Sequence, residues 1–157
     1  MWRIPDRADG SPRHVLANGE PSVDALVERF LGALAAKDRE AIERLRVDGD
    51  EYQRLILPGS VKPGQKPQIM PPNKSEYFWR SANTTSVYSL YGIIENYGGK
   101  PYRLKRIEIP RVDRFAWYTA HRDPILHLEA EGQDIELQLG SIAEHDGSFK
   151  FISYFSD

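Results

Sequence analysis

The apolar pattern of this 157-residue chain changes its period near Tyr102. Before that point, apolar residues recur every three or four positions, which is typical of amphipathic helices. After it they alternate every second position, which is typical of strands with one buried face. The chain is therefore predicted to be α+β, with N-terminal helices packed on a C-terminal antiparallel sheet.

The first helix has clear boundary signals. Ser22 is a good N-cap, and Asp24 lies in the first turn, near the positive end of the helix dipole. Asp38 is predicted to cap a shorter second helix. The first helix carries one apolar stripe at helical spacing, made of Val23, Leu26, Val27, Phe30, Leu31 and Leu34.

A long proline-rich loop separates these helices from the next helical pattern. Five prolines and two glycines between residues 58 and 73 forbid regular structure there. A helical pattern then starts at Ser75 and ends at Gly98-Gly99. The triplet Asn83-Thr84-Thr85 predicts a break or a capped restart within it.

The C-terminal part is predicted to form five strands joined by hairpin turns. The strands are residues 102–109, 115–121, 125–131, 135–144 and 149–155. Strict alternation within the fourth strand cannot bury both Leu139 and Ile142. We therefore expect an extra residue at Gly140-Ser141, with Ile142 opposite Phe151.

Composition excludes several classes of function. The net charge is −2 and no Lys/Arg run forms a stripe, so nucleic acid is not an expected partner. No apolar stretch is long enough for a membrane span. The chain contains no cysteine, which removes disulfides, thiolate nucleophiles and Cys-based zinc sites. No cofactor and no metal are predicted.

Residues 1–21 have the composition of a flexible N-terminal tail, and residues 22–157 are predicted to form a single domain. The tail is either a plain disordered terminus or the spacer that remains after an export signal or lipid anchor is trimmed. The compartment stays open between these readings: cytoplasmic by default, exported or periplasmic if a signal was removed.

Two segments carry a resemblance to a known family. They are VDALVERFL (residues 23–31) with AAKD (residues 35–38), and GSIAEHDGSFKFIS (residues 140–153). In these segments and in its order of elements, the chain resembles the NTF2-like superfamily, also called SnoaL-like. The resemblance implies helices packed on a strongly curved antiparallel sheet, together forming a cone. The family hosts isomerases, dehydratases, hydrolases and binding proteins, so the resemblance alone does not choose a function.

Large amphipathic aromatics supply the candidate site. In the fold that the resemblance implies, the later helix and the middle strands line the mouth of the cone. Trp79, Tyr91, Trp117 and His121 are therefore predicted to line a pocket for a small apolar or aromatic molecule, with the loop 58–73 as its rim. His121 is the one side chain of this set that titrates near neutral pH.

Polar residues on the strands offer weaker candidates. A turn at Gly132-Gln133 would place His127 opposite Gln138 and Glu129 opposite Glu136. Alternation favours a solvated face for this set, because the intervening leucines form the core side. His121, His127 and Glu129 do not converge clearly enough to predict a metal site. His145, beside a turn, is expected to be exposed.

The preferred interpretation is a non-catalytic NTF2-like domain that binds a small molecule, with enzymatic activity left uncertain. One alternative is a lyase or isomerase that transfers protons in the cone, with His121 or a tyrosine as acid or base. Another is a protein-interaction module. A homodimer is expected, because apolar residues lie on both sides of the last strand and one of those sides then needs a partner. These residues are Phe149, Ile152, Tyr154 and Phe155.

Overall fold

The computed structural model describes residues 6–155, and within that range the helices precede the strands. The chain is α+β, as the change of period predicted, but its strands form two antiparallel sheets where one was expected. A π-helical turn (Tyr52–Ile56) joins the third helix to the fourth. The helices are α1 (Val23–Ala35), α2 (Arg39–Glu43), α3 (Gly49–Glu51), α4 (Leu57–Gly59) and α5 (Pro72–Tyr97).

The helix starts follow the sequence signals closely. The Ser22 hydroxyl oxygen accepts the Ala25 N–H at 3.0 Å, and the Asp38 carboxylate accepts the Ala41 N–H at 3.1 Å. Both side chains thus satisfy a backbone donor that the first helical turn leaves open. The buried side of α1 is the predicted stripe apart from its first residue, namely Leu26, Val27, Phe30, Leu31 and Leu34.

Helix α5 is longer and more continuous than the sequence pattern predicted. It runs through Asn83-Thr84-Thr85 without a break. The Thr85 hydroxyl donates to the Ser81 carbonyl oxygen at 3.2 Å, so the threonine bonds back onto its own helix instead of capping a new one. Only four of its residues are fully buried, namely Ser75, Ser86, Leu90 and Ile93.

The strands form a three-stranded sheet in the order β1-β4-β5 and a four-stranded sheet in the order β2-β3-β6-β7. A single strongly curved sheet is not confirmed. Strand β2 was not predicted, because Val112 is its only apolar residue. The strands are β1 (Arg103–Glu108), β2 (Arg111–Arg114), β3 (Thr119–Arg122), β4 (Ile125–Ala130), β5 (Gln133–Gln138), β6 (Ile142–His145) and β7 (Ser148–Phe151).

The two sheets are linked where strands of one lead into strands of the other. Residues 109–110 join β1 to β2, residues 123–124 join β3 to β4, and residues 139–141 join β5 to β6. The Leu139 N–H donates to the Pro124 carbonyl oxygen at 2.9 Å, so the link between β5 and β6 lies beside the link between β3 and β4. Leu139 and Ile142 are both fully buried, and Ile142 pairs with Phe151, as predicted. The predicted strand 135–144 is broken between β5 and β6, however, and does not continue through a bulge at Gly140-Ser141.

The β4–β5 register differs from the predicted one by two residues. The turn residues are Glu131 and Gly132. Their φ angles of 54° and 77° lie in the left-handed region that a tight two-residue hairpin requires. His127 therefore pairs with Glu136 rather than with Gln138. A shift of two keeps each side chain on its predicted face, so Leu126 and Leu128 remain in the core.

The space between α1 and the strands is filled by an aromatic trio. The ring of Phe30 lies 5.7 Å from that of Phe151 and 5.9 Å from that of Tyr154, and the last two rings are 5.2 Å apart. All three side chains are buried. Burial raises the pKa of Tyr154 well above its ordinary value, and its hydroxyl donates to the Ile42 carbonyl oxygen. This centre of the domain is packed core.

Residues 6–21, which we call the strap, lie against the body of the domain. Ser11, Val15 and Leu16 are buried, and Glu20 bridges to Phe149 of β7. This differs from the flexible tail expected from composition, because a few apolar residues find partners far away in the sequence. His145, expected to be exposed, is 4% exposed beneath the strap. Residues 1–5 of the predicted tail and 156–157 of the predicted domain lie outside the described residues.

Candidate functional site

A broad groove of about 930 Å³ opens between the strap, α1, α2 and the first half of α5. We call it the Trp79 groove. Its volume lies in the range of small-molecule sites. From α1, α2 and the segment after α2 come small and apolar lining residues, interspersed with charged ones; the small and apolar ones are Gly32, Ala33, Ala36, Ala41, Leu45 and Val47.

Trp79 is held from three sides. Its ring centroid lies 5.5 Å from that of Tyr52, and the Arg46 guanidinium lies 5.2 Å from the Trp79 ring centroid. A Cβ added at Gly49 would lie 2.9 Å from the indole Nε1, so only glycine allows this approach. The indole is therefore positioned before any ligand arrives, which lowers the entropic cost of binding.

Arg46 is 5% exposed and forms the polar end of the groove. Its Nη2 donates to the Glu43 Oε2 at 3.1 Å and also to the Asn83 side-chain oxygen. The Arg46 Nε and the Glu43 Oε1 are buried without a hydrogen-bond partner. Because both atoms belong to one ion pair, a small rotation into the two-pronged arrangement would satisfy both. They do not require a ligand.

A second buried ion pair closes the groove on the side of β7. The Lys150 ammonium lies 2.8 Å from the Glu51 Oε1, with the two side chains 8% and 3% exposed. Lys150 also donates to the Ala17 carbonyl oxygen at 3.2 Å, and Glu51 accepts the Ala17 N–H at 2.9 Å. The pair thus fixes the strap where it forms a wall of the groove.

The charges that line the groove balance. Four side chains are cationic, namely Arg29, Arg44, Arg46 and Lys150, and four are carboxylates, namely Glu20, Asp38, Glu43 and Asp48. Each carboxylate is engaged. Glu20 and Glu43 pair with arginines, whereas Asp38 and Asp48 cap helices. The groove therefore has no excess charge to select an ion.

The structure places the four predicted site residues apart. Trp79 lines the groove, whereas Trp117 lines a separate pocket of about 320 Å³ beside His145. Tyr91 lies on the outer surface of α5, where the Arg39 guanidinium stacks on its ring and bonds its hydroxyl. His121 bonds Glu144 at 2.8 Å and lies against Phe149. Neither Tyr91 nor His121 lines the groove or the Trp117 pocket.

A third pocket, of about 210 Å³, is lined by Tyr118, whose phenol is a candidate for proton transfer. Burial raises the pKa of Tyr118 to about 12, so the phenol stays protonated at neutral pH and is no general base. Its oxygen lies 2.6 Å from that of Ser60, and Ser60 donates to the Ile56 carbonyl oxygen. Tyr118 must therefore donate to Ser60, and this bond occupies its proton. The pair stabilises the end of the π-helical turn.

Sequence reasoning found Trp79 but missed the rest of the groove. Asp48 and Glu51 form a capping box, a pattern that is visible in the sequence and that fixes the segment below Trp79. Arg46 lies between Leu45 and Val47, but Arg44 and Asp48 flank these two, so no local pattern marks Arg46 as buried. No local signal shows that the strap closes the other side.

Among residues 6–155, no group of three or more histidines and carboxylates is arranged to hold a metal ion. No helix in that range has the length and apolar character needed to cross a lipid bilayer. In comparisons with known proteins, no family model, no curated protein and no solved structure matches this chain.

Proposed function

We propose that the Trp79 groove binds a small, largely apolar molecule that carries no net charge. The observation that carries this proposal is the combination of small and apolar lining residues, a fixed Trp79 ring and charges that balance. Burial of apolar ligand surface supplies the affinity, and the part of the Trp79 ring that lines the groove adds to that surface. The engaged carboxylates favour binding over proton transfer.

We also propose that the domain is an NTF2-like relative. The element order supports this, with capped helices first and a meander of strands after them. The pairs β1–β2, β3–β4 and β5–β6 support it further. In each pair a short link of two or three residues leads from a strand of one sheet into a strand of the other, so each pair corresponds to one long strand with a break in its middle. In this reading the groove lies outside the packed core and not at the mouth of a cone.

Gly32 allows a test of the groove that does not damage the fold. It lines the groove on α1, and a Cβ placed on it meets no atom within 4 Å. Gly32→Phe is expected to fill the groove, whereas Gly32→Ala adds helix propensity with little bulk and serves as the matched control.

The measurement is the shift in melting temperature produced by a library of small, neutral, apolar compounds. A compound at 100 times its Kd stabilises the native state by about 2.7 kcal/mol. We expect compounds that stabilise the wild type and Gly32→Ala equally and leave Gly32→Phe unchanged. A library without any stabilising compound, or equal shifts in all three proteins, would contradict the proposal.

A further inference from the structure

Exposed aromatic side chains concentrate on one helix. Among the described residues, six large hydrophobic side chains are exposed, and four of these lie on α5: Tyr77, Phe78, Tyr88 and Tyr91. A fifth, Ile69, precedes α5 in the proline-rich loop. Aromatic residues gathered on an exposed face are typical of a protein–protein interface.

The tyrosines share one line along the helix. At 100° per residue, Tyr77, Thr84, Tyr88, Tyr91 and Glu95 fall within about 40° of a common line. We call this line the tyrosine face. Thr84 lies at its middle and is exposed, with aromatic residues on both sides of it. A small side chain at the centre allows a second helix to approach closely.

Two charged residues near the ends of this face have opposite signs. Lys74 lies at the N-terminal end, Glu95 lies near the C-terminal end, and both are exposed. If two copies of α5 pack antiparallel about a twofold axis at Thr84, Lys74 of each copy lies about one residue, roughly 1.5 Å along the axis, from level with Glu95 of the other, within reach of the two long side chains. The same register places Tyr77 opposite Tyr91 and Arg80 opposite Tyr88. Antiparallel packing also places opposite ends of the helix dipoles together.

We propose that the tyrosine face is a homodimer interface that joins two copies of this chain through antiparallel α5 helices. The occupant is a second copy because the face carries its own complement, as an interface with twofold symmetry requires. The proposal goes beyond ligand binding and does not depend on it. It also differs from the dimer expected through the last strand, where Tyr154 is buried and Phe149 and Ile152 are partly covered within the chain.

The interface is modest in size, so dilution is expected to separate the copies. A helix of 26 residues is about 39 Å long, and a single helix pair covers less area than most stable dimers. Sedimentation velocity over a range of concentrations from below one to hundreds of micromolar measures the association. We expect the mass to rise towards twice that of the monomer.

Charge variants test the register. Thr84→Glu places two carboxylates on the axis and is expected to weaken association at least tenfold, while Asn96→Glu, exposed and off the face, leaves it unchanged. Lys74→Glu and Glu95→Lys should each weaken the dimer. Their combination should restore it, because only an antiparallel pairing of these positions exchanges the charges. A wild type that stays monomeric, or a double variant no better than the singles, would overturn the proposal.

Discussion

The Nε2 of His145 lies 2.9 Å from the carbonyl oxygen of Pro12, a residue 133 positions earlier in the chain. The Nδ1 of the same ring lies 2.9 Å from the carbonyl oxygen of Trp117. Both contacts join the buried ring to carbonyl oxygens of distant segments of the chain. The Asp146 carboxylate also lies 3.2 Å from Nε2. This arrangement fastens the strap to β6.

Removing this ring is expected to loosen the strap. His145→Ala removes the ring that bridges the Pro12 and Trp117 carbonyl oxygens, and a buried carbonyl oxygen that loses its donor costs about 1–3 kcal/mol. Trypsin should therefore cleave after Arg13, an exposed strap residue, faster in the variant than in the wild type. His127→Ala is the control, because His127 lies on β4 of the other sheet. Equal cleavage rates in all three proteins would show that His145 does not hold the strap.

Asp146 makes the same contact sensitive to acid. Burial alone would raise the pKa of its carboxyl, but hydrogen bonds from the His14 N–H and the Arg7 guanidinium, together with nearby positive charge, hold the pKa below its ordinary value of 3.8. A lowered folded-state pKa contributes stability above the unfolded-state pKa, and this contribution is lost as pH falls through the folded-state value. Stability should therefore decline below about pH 4.

The variant Asp146→Asn isolates this contribution. It should be less stable than the wild type at neutral pH, and the difference should shrink as the solution is acidified, because protonation removes the same charge in the wild type. Urea midpoints measured between neutral pH and strong acid give the comparison. A constant difference at every pH would contradict the assignment.

The buried Lys150–Glu51 pair is expected to be costly to break. Lys150→Met leaves the Glu51 carboxylate buried without its partner, which destabilises a protein by about 3–5 kcal/mol. The exposed Arg80–Glu76 pair, 2.8 Å apart, offers a matched control. Arg80→Met should change the free energy of unfolding by less than about 1 kcal/mol. Similar losses for both variants would mean that burial does not set the value of these pairs.

Two glycines should respond oppositely to alanine. A Cβ at Gly140 would lie 2.2 Å from the Ser153 carbonyl oxygen, whereas a Cβ at Gly92 of α5 meets nothing within 4 Å. Gly140→Ala should destabilise by about 1–3 kcal/mol through overpacking at the break between β5 and β6. Gly92→Ala should stabilise by about 0.5–1 kcal/mol, as expected inside a helix. Chemical denaturation measures both, and a tolerated Gly140→Ala would contradict the packing described for this break.

Local chemistry explains which features the sequence could predict. Ser22 and Asp38 cap their helices through neighbouring backbone, and Gly140 marks a break that alternation itself demands, so a few residues of sequence suffice. The burial of His145 depends on Pro12, far away in the chain, and no local pattern encodes it. The groove likewise depends on residues that are distant in the sequence. Trp79 can be singled out by its residue type alone, but Gly32 and the strap line the same groove only once the chain has folded.

The indole N–H signals of the chain's three tryptophans test the binding proposal most directly. They are resolved by ¹H–¹⁵N NMR and assigned with tryptophan-to-phenylalanine variants. During titration with a compound that stabilises the protein, the Trp79 signal should move saturably, while the Trp117 signal, from a buried ring outside the groove, stays in place. Gly32→Phe should abolish the movement. A Trp79 signal that does not move, or movement confined to Trp117, would contradict the account.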